Sequence, residues 1–173
     1  MDLESKILSR EISQILYKRG TFIGTAESCT GGKIADAIVT TPGASTYFKG
    51  GIVSYVDEIK ERLLGVDSQL LEEKTAVCEE VAVQMVKGAC RALHADVAVS
   101  STGIAGPEGG SKENPVGTIW IACGTEDEVV TLKLTKDEGR NKNICMATYH
   151  ALHLLLTFLK ERLPNTELAE ENT

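Results

Sequence analysis

TFIGTAESCTGGKIADAIVTTPG, residues 21–43, changes its period twice within one short stretch. The first six residues are β-branched, aromatic or small, and they read as a strand. ESCTGG then reads as a turn. KIADAIVTT has helical period until Pro42 and Gly43 stop it. A strand passing through a glycine turn into a helix is the repeating unit of an α/β fold.

Upstream, Ile7, Leu8, Ile12, Ile15 and Leu16 recur at helical spacing and predict a helix over residues 3–19, ended by Gly20. Downstream, FKGGIVSY (48–55) suits a strand kinked at Gly50 and Gly51. Residues 57–64 read as a helix with Asp57 as N-cap and Gly65 as terminator. A longer helix covers 79–93, with Val81, Met85, Val86, Ala89 and Leu93 on one face. DVAVSS (96–101) reads as a buried strand. Residues 102–117, rich in glycine and carrying two prolines, form a long loop of the kind that is often functional. VGTIWIAC (116–123) and VVTLKL (129–134) read as neighbouring strands joined by GTEDE, and a final helix spans 141–162. The expectation is a three-layer α/β/α sandwich on a mixed sheet, with residues 1–164 as one domain and 165–173 as a frayed polar tail.

Composition narrows the function. Of 173 residues, 42% are hydrophobic and 25% charged, as in an ordinary globular chain able to bury a core. Eighteen Lys+Arg against 25 Asp+Glu give a net charge of −7, which argues against a nucleic-acid binder. No apolar run approaches a membrane span, and the charged N-terminus lacks the apolar core of a signal peptide. A cytoplasmic protein with no membrane partner is expected. Five cysteines without a C-x-x-C pair suggest reduced thiols rather than a disulfide framework or a zinc site.

Four segments can carry chemistry. ESCTGG (27–32) opens a helix, where unpaired N–H groups and two glycines can receive a phosphate or a forming oxyanion. An ordinary N-cap at a tight strand–helix junction accounts for the same residues equally well. A triphosphate P-loop does not fit, because it needs Gly at Glu27 and Ser or Thr at Ile34. Lys60, shortly after a strand end, can act as a base if burial favours its neutral amine. Taken alone it reads more readily as a solvated lysine on an acidic helix, paired weakly with Glu58 or Asp57. Thr102 and Gly103 leave a buried strand at its carboxyl end, where α/β sheets bind ligands. Arg140 can grip a phosphate or a carboxylate through its planar fork, although a lone arginine is commonly solvated. Cys29 is a rival nucleophile to Ser28. His150 and His153 lack a third ligand at suitable spacing and read as structural.

Taken together, AESCTGG (26–32), PGAS (42–45), Gly50-Gly51 with Tyr55 and Lys60, RLLGV (62–66), and TGIAGPEGG with KENPVGTIW (102–120) resemble the CinA C-terminal domain family of nicotinamide mononucleotide (NMN) deamidases. The resemblance runs from about Leu8 to Leu159. It implies an α/β/α sandwich that hydrolyses the NMN carboxamide to nicotinic acid mononucleotide and ammonia, with no metal or cofactor. It also makes a homo-oligomer plausible, and the N-terminal domain of the long members has no counterpart here. By position it implies Ser28 as nucleophile, Lys60 as base and Tyr55 as a relay between them. Thr102 would face the same site. Thr30, Gly31, Gly32, Gly103 and Arg140 would hold the small nucleotide substrate. The chain departs from the family at Val56-Asp57, where Ser-Asn is usual, at Cys78, and at Glu138-Gly139. Ile144 or Cys145 stands where a second arginine is common. These departures leave open a second class of function, a nucleotide-binding or regulatory module using the same pocket without turnover.

Overall fold

The computed structural model describes residues 3–163, so the polar tail expected over 165–173 lies outside the described residues. The helices are α1 (Leu3–Arg19), α2 (Lys33–Val39), α3 (Asp57–Leu64), α4 (Ser68–Lys74), α5 (Glu79–Leu93) and α6 (Arg140–Glu161). The strands are β1 (Ile23–Glu27), β2 (Phe48–Val53), β3 (Val97–Gly103), β4 (Ile119–Gly124) and β5 (Val129–Leu134). They form one mixed sheet in the order β2-β1-β3-β4-β5. β2, β1 and β3 run parallel, and β4 and β5 complete the sheet antiparallel.

Alternation along the strands divides the core into two layers. Ile23, Val97 and Val99 face a cluster with Ile12, Ile34 and Leu152, contributed by α1, α2 and α6. Ala26 and Ala98 face the opposite way, into a cluster with Leu64, Val81 and Met85 from α3 and α5. Burying each large aliphatic side chain contributes about 1.5–3 kcal/mol, so both layers hold the sheet. α5 crosses close to α3. A Cβ at Gly88 would come within 2.0 Å of the Leu64 carbonyl oxygen, so only glycine lets the two backbones meet there.

The sandwich agrees with the expectation, and several boundaries differ. α4 was not foreseen, because seven residues with one apolar pair carry no readable period. The Asp67 side chain caps it by accepting from Gln69 N–H. β4 begins at Ile119 rather than 116. Gly117 and Thr118 spend their N–H groups on the Ile104 and Pro115 carbonyls, in a turn. Asp57 is the first residue of α3 rather than its cap, and its carboxylate binds a lysine. Among the described residues no helix is long and apolar enough to cross a membrane.

Candidate active site

The site forms where β2, β1 and β3 end side by side. Glu27 pairs with Val53 on one side and Ser101 on the other. The ladder continues one step further: Ser28 N–H donates to Ser101 O at 2.9 Å, and Ser54 N–H donates to Glu27 O at 2.8 Å. Strand alternation therefore extends past the last strand residue of β1. It carries Glu27 toward α2 and Ser28 toward the side of Ala26, where α3 and α5 pack.

Glu27 is 1% exposed. Its Oε2 accepts from the N–H groups of Gly32 and Ile34, both at 3.0 Å, and its Oε1 from Ala35 N–H at 2.8 Å. Thr30 Oγ1 donates to Glu27 Oε2 at 2.7 Å, so the 2.6 Å bond between Thr30 and Ser101 must carry the Ser101 proton. The start of α2 is thus neutralised by the protein's own carboxylate. Gly31 N–H is likewise committed, to Ser28 O. Thr30, Gly31 and Gly32 serve the turn itself, and the glutamate that organises it escaped the sequence reading. Its only signal was an acidic residue at the point where the strand TFIGTA passes into the turn.

A cleft of about 240 Å³ opens beside this turn, and Ser28, Tyr55, Gly103, Glu108 and Arg140 are among its walls. A Cβ at Gly103 would lie 2.4 Å from Thr118 O, so the strand end can pass there only as glycine. Arg140, the first residue of α6, donates from Nη1 to Gly106 O at 2.8 Å and from Nη2 to the Tyr55 hydroxyl at 3.1 Å. Buried Asn143 holds the same loop by donating to Ala105 O at 3.0 Å and to Asp137 Oδ1 at 2.8 Å. The structure therefore gathers Ser28, Tyr55, Gly103 and Arg140 around one opening. A slightly larger cleft of about 280 Å³ lies between α1, α2 and α6, with Lys33, Asn141 and Cys145 among its walls, and contains none of these four.

Lys60 and Thr102 sit behind the cleft. Lys60 is 1% exposed and shares the inward face of α3 with Leu64, one turn on. Its Nζ lies 3.1 Å from Asp57 Oδ1. Thr102 Oγ1 donates to Ala76 O at 2.8 Å, tying β3 to the segment before α5.

Cys29, in the turn after β1, also lines the cleft, and it packs in the cluster of Ile23 and Ile34. Burial, above all, pushes its thiol up to about 12, and the Lys60 charge is among the weaker influences acting on it. A thiol so protonated is a poor nucleophile at neutral pH. Among the described residues no three His, Cys, Asp or Glu side chains are grouped to hold a metal ion. Burial and then neighbouring His153 lower the His150 value, and both rings pack on Tyr149.

Residues 5–159 match the CinA C-terminal domain. A putative competence-damage inducible protein of Halothermothrix orenii is 45% identical over 88% of this chain, which spans only 37% of that relative. A nicotinamide-nucleotide amidohydrolase PncC of Enterobacter agglomerans is 48% identical over 91% of this chain and 95% of its own length. Among solved structures, the competence/damage inducible protein CihA of Agrobacterium tumefaciens superposes with a TM-score of 0.88 at 36% identity. It covers 93% of this chain and 100% of that one.

Proposed function

The chain belongs to the CinA C-terminal domain family, and on that premise we propose that it hydrolyses the carboxamide of NMN to nicotinic acid mononucleotide and ammonia. The observation that carries this reading is the cleft shared by Ser28, Tyr55, Gly103 and Arg140, with Lys60 buried on the layer that strand alternation gives to Ser28.

Arg140 keeps donors beyond those spent on Gly106 and Tyr55, and these suit the substrate phosphate. Once Lys60 has left Asp57 and released a proton to water, its amine takes the Ser28 proton as Ser28 Oγ attacks the carboxamide carbon. In the turn and the start of α2, the N–H groups of Gly31, Gly32, Lys33, Ile34 and Ala35 are bound to internal acceptors, which leaves those of Cys29 and Thr30 for the oxyanion. Lys60 returns the proton to the departing nitrogen, ammonia leaves, and water cleaves the acyl-enzyme. The net reaction consumes water alone.

The test is ammonia release from NMN by the wild type and by Ser28→Ala. Turnover in the first and a loss of at least 10³-fold in the second is expected. Wild-type turnover in Ser28→Ala removes Ser28 as nucleophile. A second reading, binding without turnover, draws support from the ion pair that ties Lys60 to Asp57. NMN binding by calorimetry with no ammonia released would establish it.

A further inference from the structure

Strand register places a third hydroxyl beside Ser28 that neither the motif reading nor the mechanism above uses. Because Glu27 pairs with Val53 and with Ser101, the next row across the sheet is Ser54, Ser28 and Thr102. Adjacent strands lie about 4.8 Å apart, so side chains in one row are nearest neighbours. Alternation gives all three one direction. Ala26 and Ile52, two residues before Ser28 and Ser54, both belong to the α3–α5 layer. The hydroxyl of Thr102 bonds to Ala76 on that side as well. The same layer receives the buried Lys60.

The two neighbours of Ser28 are unlike. Thr102 has its proton committed to Ala76 O. Ser54 is 0% exposed, and its Oγ has no hydrogen-bond partner. An unmet buried hydroxyl costs stability, and alanine would fill the same space without that cost. Thr25, the other such hydroxyl among the described residues, lies under α2 on the opposite side of the sheet. Tyr55, expected as the relay, points its phenol at Arg140 and is 54% exposed.

We propose that Ser54 is a catalytic hydroxyl bridging Ser28 and Lys60. This rests on the reading of those two as nucleophile and base. A hydroxyl gives one proton while it takes another, so it can join two groups that do not touch. When Lys60 leaves Asp57 and releases one proton to water, Ser54 gives its proton to the neutral Nζ and receives the proton of Ser28. The Ser28 oxygen forms its bond to the carboxamide carbon. In the reverse direction, the Lys60 proton passes through Ser54 to the departing nitrogen as the carbon–nitrogen bond breaks. The atoms and charges balance with the substrate and water alone.

The experiment compares wild type, Ser54→Ala and Ser54→Thr with NMN as substrate, alongside urea unfolding of each. In Ser54→Ala, kcat falls at least 100-fold, KM stays within about threefold, and the urea midpoint is unchanged or higher. Ser54→Thr keeps a hydroxyl and recovers at least a tenth of wild-type kcat. Wild-type kcat in Ser54→Ala overturns the bridge while leaving Ser28 and Lys60 in place. A lower urea midpoint with kcat intact makes the residue purely structural and also overturns it. A wild type that releases no ammonia removes the underlying reading itself.

Discussion

The Lys60 ammonium lies 3.1 Å from the Asp57 carboxylate, with 2% of the lysine side chain and 53% of the aspartate side chain open to solvent. A half-exposed partner therefore holds a buried amine. Asp57→Asn keeps the shape and removes the charge. Its stability cost falls between that of an exposed pair and a buried one, about 1 kcal/mol, or a fall in Tm of about 2–4 °C. Freed of its ion pair, the amine can turn toward Ser28 and Ser54, so kcat at pH 7 should rise. Calorimetric melting and the ammonia assay measure the two effects. A lower kcat would show that Asp57 positions Lys60 for the reaction.

Arg140 joins the loop at Gly106 to Tyr55 and keeps donors for an anion. Hydrogen bonds to charged groups contribute about 1.5–3 kcal/mol, so Arg140→Ala should raise KM for NMN about 10- to 100-fold. Nicotinamide riboside, which lacks the phosphate, should lose much less. Equal losses for both substrates would move Arg140 from phosphate binding to loop support.

The helix expected over residues 3–19 and the strand over 129–134 match α1 and β5 to the residue. Ser28, Tyr55, Gly103 and Arg140 were all named from motifs, and they meet at one cleft. Contacts that depend on pairing between distant strands were not legible. Nothing local marks Glu27 as the cap of α2, because the N–H groups that donate to it lie five, seven and eight residues ahead and need the turn already folded. Ser54 gains meaning only once β2 is aligned with β1. The glycines at 31 and 32 suggested an anion site on local grounds, and a side chain of the protein itself fills it.

That capping can be measured. In Glu27→Gln, one acceptor oxygen becomes an NH2 group facing backbone donors, so buried N–H groups lose their partner. The expected destabilisation is about 1–3 kcal/mol, read as a lower urea midpoint with the slope m unchanged. An unchanged midpoint would mean that water replaces the lost bonds.

Burial is the main cause pushing the thiols of Cys29 up to about 12, Cys90 up to about 11, and Cys123 well above the ordinary value of 9.0. The folded state thus keeps protons that the unfolded chain releases near pH 9. This stabilisation is complete below that pH and is lost as pH rises from about 9 toward 12. Melting temperature should be flat from pH 7 to about 8 and then fall. The fall should be shallower in a Cys29→Ala, Cys90→Ala variant. Parallel curves for the two proteins would assign the alkaline loss to other groups.

Ser28 and Cys29 directly follow β1, and one carries oxygen and the next sulfur. A single-codon deletion within Ile23–Glu27 would slide Cys29 into the place of Ser28 and turn the serine into the opposite layer. A length change that keeps Ser28 in place therefore has to fall outside β1. Within β1, the loss of one codon would exchange alkoxide chemistry for thiolate chemistry.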